Sequence, residues 1–90
     1  HDSKGARLMA SAGGTLPSAG LRYDPADRSI TIFGGLNKAG SVLLQDVSSI
    51  CDELVAKPNQ VIDIATNRMQ VSAVVSMMTE RVGAIRMLHR

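Results

Sequence analysis

The C-terminal stretch Met69–Arg90 is the feature that most constrains this chain. From Met69 to Thr79 it carries no charged side chain, and in a helical projection its apolar residues point in nearly every direction. A helix that is apolar on all sides is normally buried. A chain as short as this one encloses only about 60–65% of its unfolded surface. We therefore expect neighbouring chains to complete the cover of this stretch.

The apolar residues of the C-terminal stretch form two stripes when they are placed on a helix. One stripe is a sustained heptad-like seam, and the other lies on a different face. The seam comprises Ile64, Val71, Val75, Met78, Val82 and Ile85, and the second stripe comprises Ile62, Met69, Ala73, Met77, Ala84 and Leu88. The pattern predicts a long helix from about Gln60 to Arg90, roughly 45 Å in length at 1.5 Å per residue.

A shorter amphipathic helix is predicted before this one. Its apolar stripe recurs at helical spacing and consists of Leu43, Val47, Ile50 and Leu54,. Ser41 is a suitable N-cap. Pro58 ends the helix, because the residue before a proline is pushed out of the α region, and Asn59 can cap the next helix. The sequence thus predicts a helical region over 41–90 with a hinge at Pro58 and Asn59.

The first part of the chain predicts loops and a β-hairpin. Residues 1–20 are rich in small residues, Gly and Pro, and support at best a short helix over Lys4–Ala12,. Asp24-Pro25 is turn chemistry, and the β-branched run that follows is closed by Gly34-Gly35, which predicts a hairpin over 21–35. A lone hairpin is marginal in water. The expected fold is therefore a mainly α assembly subunit whose hairpin is completed by another element or another protein.

Residues typical of catalysis, cofactors or metal binding are sparse. Cys51 adjoins an apolar stripe and two carboxylates, which favours a packed thiol over a nucleophile. His89 is a lone histidine near the end of the predicted helix, where a solvated side chain is the common outcome. No Cys and His cluster has metal-ligand spacing. The sequence predicts no catalytic residues, no metal site and no cofactor, and hence not an enzyme.

The charge distribution favours neither nucleic acid nor a membrane. The formal net charge is +2, which is too small to select an anionic partner. A nucleic-acid face would need more basic residues and stacking aromatics. The basic residues of the C-terminal region are interpreted instead as a solvated or channel-facing rim, and they are Arg68, Arg81, Arg86 and Arg90. No stretch is apolar over the ~20 residues that a membrane span needs, and no cleavable signal is evident at the start.

Residues 41–90 resemble the inner rod proteins of bacterial type III secretion systems. "SVLLQDVSSICDELV" looks like the upstream amphipathic helix of that family, and "KPNQVIDIATNRMQVS" looks like its hinge. "VSAVVSMMTERVGAIRMLHR" resembles its final helix, with the small-residue step at Val82-Gly83-Ala84. Needle subunits and flagellar rod-base proteins share a similar plan, and the hairpin has no counterpart in the resemblance.

The resemblance implies a structural function, with contacts made by packed helices. Such a subunit would link the export gate to the needle filament, with neighbouring rod copies, needle subunits, export-gate subunits and secretin or inner-ring proteins as partners. It would be exported without a cleavable signal peptide, would lie in the periplasmic part of the apparatus or be secreted, and would be membrane-associated only through the assembly. The implied contact residues are Leu43, Val47, Ile50, Leu54, Ile64, Val71, Val75, Met78, Val82, Gly83, Ile85 and Leu88.

Two alternatives stay open from the sequence. One is a helical adaptor or coiled-coil module of another complex that folds when it binds its partner. The other is a small basic nucleic-acid-binding protein, whose affinity would fall steeply with salt. Whether the chain is a rod subunit or an adaptor, we expect it to be weakly helical when it is free and to gain helix on assembly.

Overall fold

The computed structural model describes residues 19–36, 42–64 and 68–90, without the side chains of Arg68 and Met69. In these ranges the chain forms a four-stranded mixed sheet and two helices, which is an α/β fold. The strands are β1 (Ala19–Asp24), β2 (Ser29–Gly34), β3 (Ile62–Asp63) and β4 (Arg86–His89), and the helices are α1 (Leu44–Ala56) and α2 (Arg68–Val82). The predicted helix over Lys4–Ala12 lies outside the described residues. The prediction of Ser41 as the N-cap of α1 is wrong, because α1 begins at Leu44 and its N-cap is Leu43.

The β1–β2 hairpin occupies the centre of the sheet. Its strands are antiparallel, with Leu21 opposite Ile32 and Tyr23 opposite Ile30. Asp24 organises the turn, because its Oδ1 accepts hydrogen bonds from the backbone N–H groups of Ala26 (2.9 Å) and Asp27 (3.1 Å). Both outer sides of the hairpin are occupied within the chain, since β3 pairs antiparallel with β1 and β4 pairs parallel with β2. The expectation that another protein completes this hairpin is therefore not needed.

The core lies between one face of the sheet and the two helices. The strands contribute Leu21, Tyr23, Ile30, Ile32 and Ile62, α1 contributes Val47, Cys51 and Leu54, and α2 contributes Val71, Val74 and Met78. Side chains alternate along a strand, so Ser29, Thr31 and Phe33 lie on the opposite face of β2. These three are also buried, and the guanidinium of Arg22 lies 5.3 Å from the centroid of the Phe33 ring. Strand β2 is thus buried on both faces.

The expected mainly α fold with a long C-terminal helix is wrong. Helix α1 does end before Pro58, as the sequence predicts, with Lys57 outside the α region at φ −125° and ψ 64°. The chain then enters β3 instead of a second helix. Asn59 has a φ of +65°, and its N–H donates to the carbonyl of Tyr23 at 2.8 Å, which turns the chain toward β1. Pro58 and Asn59 connect a helix to a strand and are not a hinge between helices.

The predicted helix also fails at its other end, where Gly83 ends α2. Gly83 has a φ of +96°, and its N–H donates to the carbonyl of Thr79 at 3.0 Å. This left-handed conformation after the last helical residue is the common helix stop that glycine favours. The close helix approach expected at Gly83 is absent from the described structure, and the residues that follow pair with β2 as β4. The region 41–90 is therefore mixed helix and strand.

Candidate interaction surface

The described residues contain no cluster of side chains that could hold a metal ion. No group of three or more His, Cys, Asp or Glu side chains converges among them. Cys51 is fully buried, and its Sγ lies 3.7 Å from the carbonyl oxygen of Val74, to which the thiol donates. Burial raises the pKa of the Cys51 thiol, and Arg81 offsets this only in part. A protonated thiol that no reagent reaches is a packing group, not a nucleophile.

Strand β4 is the most exposed regular element that the structure describes. All four of its residues are exposed, including the apolar side chains of Met87 (45%) and Leu88 (36%). In the β2–β4 register, Met87 lies opposite Ile30 and Leu88 opposite Thr31. Met87 and His89 therefore share the helix side of the sheet, and Arg86, Leu88 and Arg90 share the other side. We call the side of residues 86–90 that faces away from β2 the β4 edge.

The backbone of the β4 edge directs some of its hydrogen-bonding groups away from β2. The N–H of Arg86 donates to the carbonyl of Arg28, and the N–H of Arg90 donates to the carbonyl of Ile32, each at 2.8 Å. Along a parallel pair, alternate residues direct both backbone groups toward the neighbouring strand. Met87 and His89 consequently direct their N–H and C=O groups outward. Among the described residues, no strand pairs with this edge.

A clasp of polar contacts holds the start of β4 against the hairpin turn. Nη1 of Arg28 donates to the carbonyl of Val82 at 2.9 Å, and Nη2 of Arg86 forms an ion pair with Oδ2 of Asp27 at 2.5 Å. The hydrogen bond from Arg86, with a further one from Ser29, lowers the pKa of Asp27 below its ordinary value of 3.8. These contacts position the strand although its side chains bury little apolar surface.

Charge along the β4 edge has one sign. Residues 86–90 include Arg86, His89 and Arg90 and contain no acidic side chain. Asp27 lies beside Arg86, which uses Nη2 to reach it. A guanidinium has five N–H donors, so Arg86 keeps donors for a second acceptor. The edge therefore presents apolar side chains at its centre, between basic groups at its ends.

Two of the arginines expected to form a rim, Arg81 and Arg86, have side-chain partners in the structure. Nη1 of Arg81 pairs with Oδ1 of Asp52 at 2.5 Å, and its Nη2 donates to Oγ of Ser48 at 2.9 Å. These contacts bridge α2 to α1 at the surface. An exposed pair of this kind contributes about 1 kcal/mol or less. Arg81 is thus part of the helix–helix contact and not of a solvated rim.

Most of the predicted contact residues lie in the chain's own core or at its border. Val47, Leu54, Val71 and Met78 are buried, and Ile50, Ile64, Val75, Val82 and Ile85 pack against the core while partly exposed. Gly83 is half-buried at the end of α2. Leu43 and Leu88 are exposed, at 65% and 36%. Within the described residues, the buried side of α2 shares a core with α1 and the sheet.

Sequence reasoning missed the β4 edge. Met87 was not among the predicted contact residues, and Leu88 was assigned to a helix stripe. Gly83 was the available signal, since a glycine after a basic last turn is typical of a helix end. With the helix ended there, the run "IRMLH" would have been free to form a strand.

Other exposed apolar side chains lie on α1. Leu43 and Leu44 stand at its beginning, at 65% and 73% exposure, and Val55 stands near its end at 45%. Leu43 is the N-cap residue and makes no side-chain capping hydrogen bond. These three residues occupy opposite ends of the helix, and they offer a partner no row of unpaired backbone groups.

Comparisons with known proteins found no match to any family model, any curated protein or any solved structure. The resemblance to inner rod proteins therefore stays a prediction. Within the described part of the chain, neither helix has the length and apolar character needed to cross a bilayer.

Proposed function

We propose that this chain is an assembly module that binds an extended segment of a partner protein along the β4 edge. The observation that carries the proposal is the open side of β4, where Met87 and His89 direct backbone groups outward beside exposed apolar side chains. Strand addition to such an edge provides affinity through main-chain hydrogen bonds and specificity through alternate side chains.

The side chains of the β4 edge fit an edge that binds a partner strand better than an edge that is protected against pairing. Natural proteins protect open strands with charges, prolines or bulges that oppose pairing. Arg86 and Arg90 could serve that purpose, but Met87 and Leu88 at the centre remain uncovered. A protected edge has no need of exposed apolar side chains at its middle. An edge with basic ends and an apolar centre suits a partner strand of complementary pattern.

The proposal keeps the coarser part of the sequence hypothesis, which is a structural or adaptor subunit without catalysis. A position in a type III secretion rod stays an untested prediction. The helix–Pro–helix plan that the resemblance implied is not the plan of this chain, and so we do not base the contact surface on it.

The test uses a proline at a position where the fold can accept it. Met87→Pro removes an outward N–H and places a ring in the path of a partner strand, while the inward hydrogen bonds of β4 remain. Proline is tolerated on an edge strand when its nitrogen faces solvent. We expect the free energy of unfolding of Met87→Pro to lie within about 1 kcal/mol of the wild-type value. Leu88→Pro removes an inward N–H donor, and we expect it to release β4 from β2.

Partner capture is then measured in the source cells with a photo-crosslinking residue at position 89. A matched chain carries the crosslinker at position 72, on the exposed side of α2. We expect a discrete adduct from position 89 that disappears in the Met87→Pro background, and no such adduct from position 72. An adduct at position 89 that survives Met87→Pro, or the same adduct from both positions, would contradict binding at the β4 edge.

A further inference from the structure

We infer that the partner strand of the β4 edge is acidic. On one face of that strand, three residues at alternate positions are a carboxylate, an apolar residue and a second carboxylate, in that order. This inference rests on the proposed function and specifies its ligand. It follows from the order of side chains along β4, from the ladder geometry and from the charge of the edge.

The alternation of β4 determines which side chains a partner would meet. Arg86, Leu88 and Arg90 share the side of the sheet that faces away from the helices, because their positions differ by two. Directly opposed residues on paired strands have Cβ atoms about 4.5–5.5 Å apart. A partner residue opposite Leu88 would thus meet an apolar side chain, and the residues two positions before and after it would meet guanidinium groups.

Both guanidinium groups can accept such a carboxylate. Arg86 is 62% exposed and uses Nη2 for Asp27, which leaves Nη1 and Nε for a second acceptor. Arg90 is exposed, and its backbone N–H extends the β2–β4 ladder. The backbone fixes the spacing of the two arginines, so a partner can match them with one extended segment.

A second copy of the same strand is a poor occupant of the edge. If two copies paired antiparallel about Leu88, Arg86 of each would lie opposite Arg90 of the other. Like charges directly opposite each other destabilise a strand pair. The other edge strand, β3, is only two residues long. Moreover, the 90 residues contain no segment in which two carboxylates flank an apolar residue at alternate positions. The charge and the pattern therefore favour a different protein.

The experiment compares two blocked peptides of about six residues, a usual strand length. Both contain isoleucine at the centre of one face and threonine on the other, and they differ only in having glutamate or lysine at the two flanking positions. Binding to the full 90-residue chain is followed by backbone amide signals. The glutamate peptide is expected to shift and protect the amides of Met87 and His89, with an affinity about three- to tenfold higher than that of the lysine peptide.

Salt and one variant separate the charge effect from strand addition itself. The preference for glutamate should shrink as salt is added, because exposed pairs are screened. Arg90→Gln keeps the backbone donor to Ile32 and removes one of the two positive charges. The ratio of the two peptide affinities should therefore fall to roughly the square root of its wild-type value. Binding of the lysine peptide should not weaken in Arg90→Gln.

Each outcome decides one of the two claims. Equal binding of both peptides at Met87 and His89 would overturn the acidic-partner inference and leave the edge as a binding site. Failure of both peptides to affect these amides, or shifts confined to the helices, would overturn the proposed function as well. Self-association of the free chain through the same amides would show that a second copy is the occupant.

Discussion

Strands β2 and β4 are neighbours in the sheet, yet they differ in almost every physical respect. Residues 29–33 of β2 are all buried, whereas every residue of β4 is exposed. A tight turn joins β2 to β1. β4 instead reaches the sheet from a distant part of the sequence, and the contact that leads into it joins Arg28 to Val82, which are 54 positions apart. One sheet thus combines a strand held by apolar burial with a strand held mainly by backbone hydrogen bonds and a polar clasp.

This difference has a functional consequence. A strand buried on both faces cannot be removed without loss of the core, so β2 serves stability. A strand that contributes little burial is free to present its outer side to a partner, and elements with few buried contacts open at low free-energy cost.

The largest effect is expected from Ile30, which lies opposite Met87 in the β2–β4 register. Ile30 is fully buried, so Ile30→Ala should destabilise the chain by about 2–5 kcal/mol through lost burial and a residual cavity. Met87→Ala, the matched change across the ladder, should cost less than about 1 kcal/mol. Denaturant unfolding measures both. Similar losses for the two variants would show that β4 is part of the core after all.

An intermediate effect is expected where α2 passes into β4. Gly83→Ala places a Cβ at a φ of +96°, within 2.5 Å of Nη1 of Arg28. The guanidinium can move away, but it then gives up its hydrogen bond to Val82, and the backbone strain remains. We expect a loss of about 1–3 kcal/mol in the free energy of unfolding.

Gly35 provides the control for Gly83. A Cβ at Gly35 would meet nothing within 4 Å, so Gly35→Ala should change stability by no more than about 0.5 kcal/mol. In an Arg28→Ala background the cost of Gly83→Ala should fall without vanishing, since only the collision is removed. If Gly83→Ala costs no more than Gly35→Ala, the left-handed helix end is not required for β4 to dock.

The smallest effect concerns the exposed pair between Asp27 and Arg86. The folded-state pKa of Asp27 is lowered, chiefly by the Arg86 hydrogen bond. A depressed carboxyl pKa contributes stability that is fully present above the ordinary value of 3.8 and is lost as the pH falls through the lower folded value,. Asp27→Asn should therefore be less stable than the wild type at neutral pH, and the gap should close in acid.

Thermal unfolding at a series of pH values checks this prediction. Arg86→Gln removes the same pair from its other side, and its gap to the wild type should close over the same acidic range. The double variant should add little to either single change, as expected for residues that act through one contact. A gap that is independent of pH would show that Asp27 stabilises the turn without using its charge.

Parts of this architecture could be predicted from a few neighbouring residues. The hairpin follows from the turn at Asp24-Pro25 and the β-branched residues after it. Helix α1 follows from its apolar spacing and ends before Pro58. The candidate site could not be predicted in the same way. Val82, Ile85 and Leu88 continue a helical spacing. For this reason the predicted helix extended past Gly83 and included residues that form a strand.

Local sequence patterns were enough to predict the turn, the first helix and many of the apolar positions that enter the core, such as Val47, Leu54 and Met78. The packing of the helices on a sheet, and the pairing of the last residues with that sheet, could be seen only in the folded chain. The physical reason is the range of the interactions. Turn chemistry and helical periodicity act within a few residues. The pairing of Arg86–His89 with β2 depends instead on a strand more than fifty positions earlier in the sequence, and no local pattern in residues 86–89 predicts that pairing.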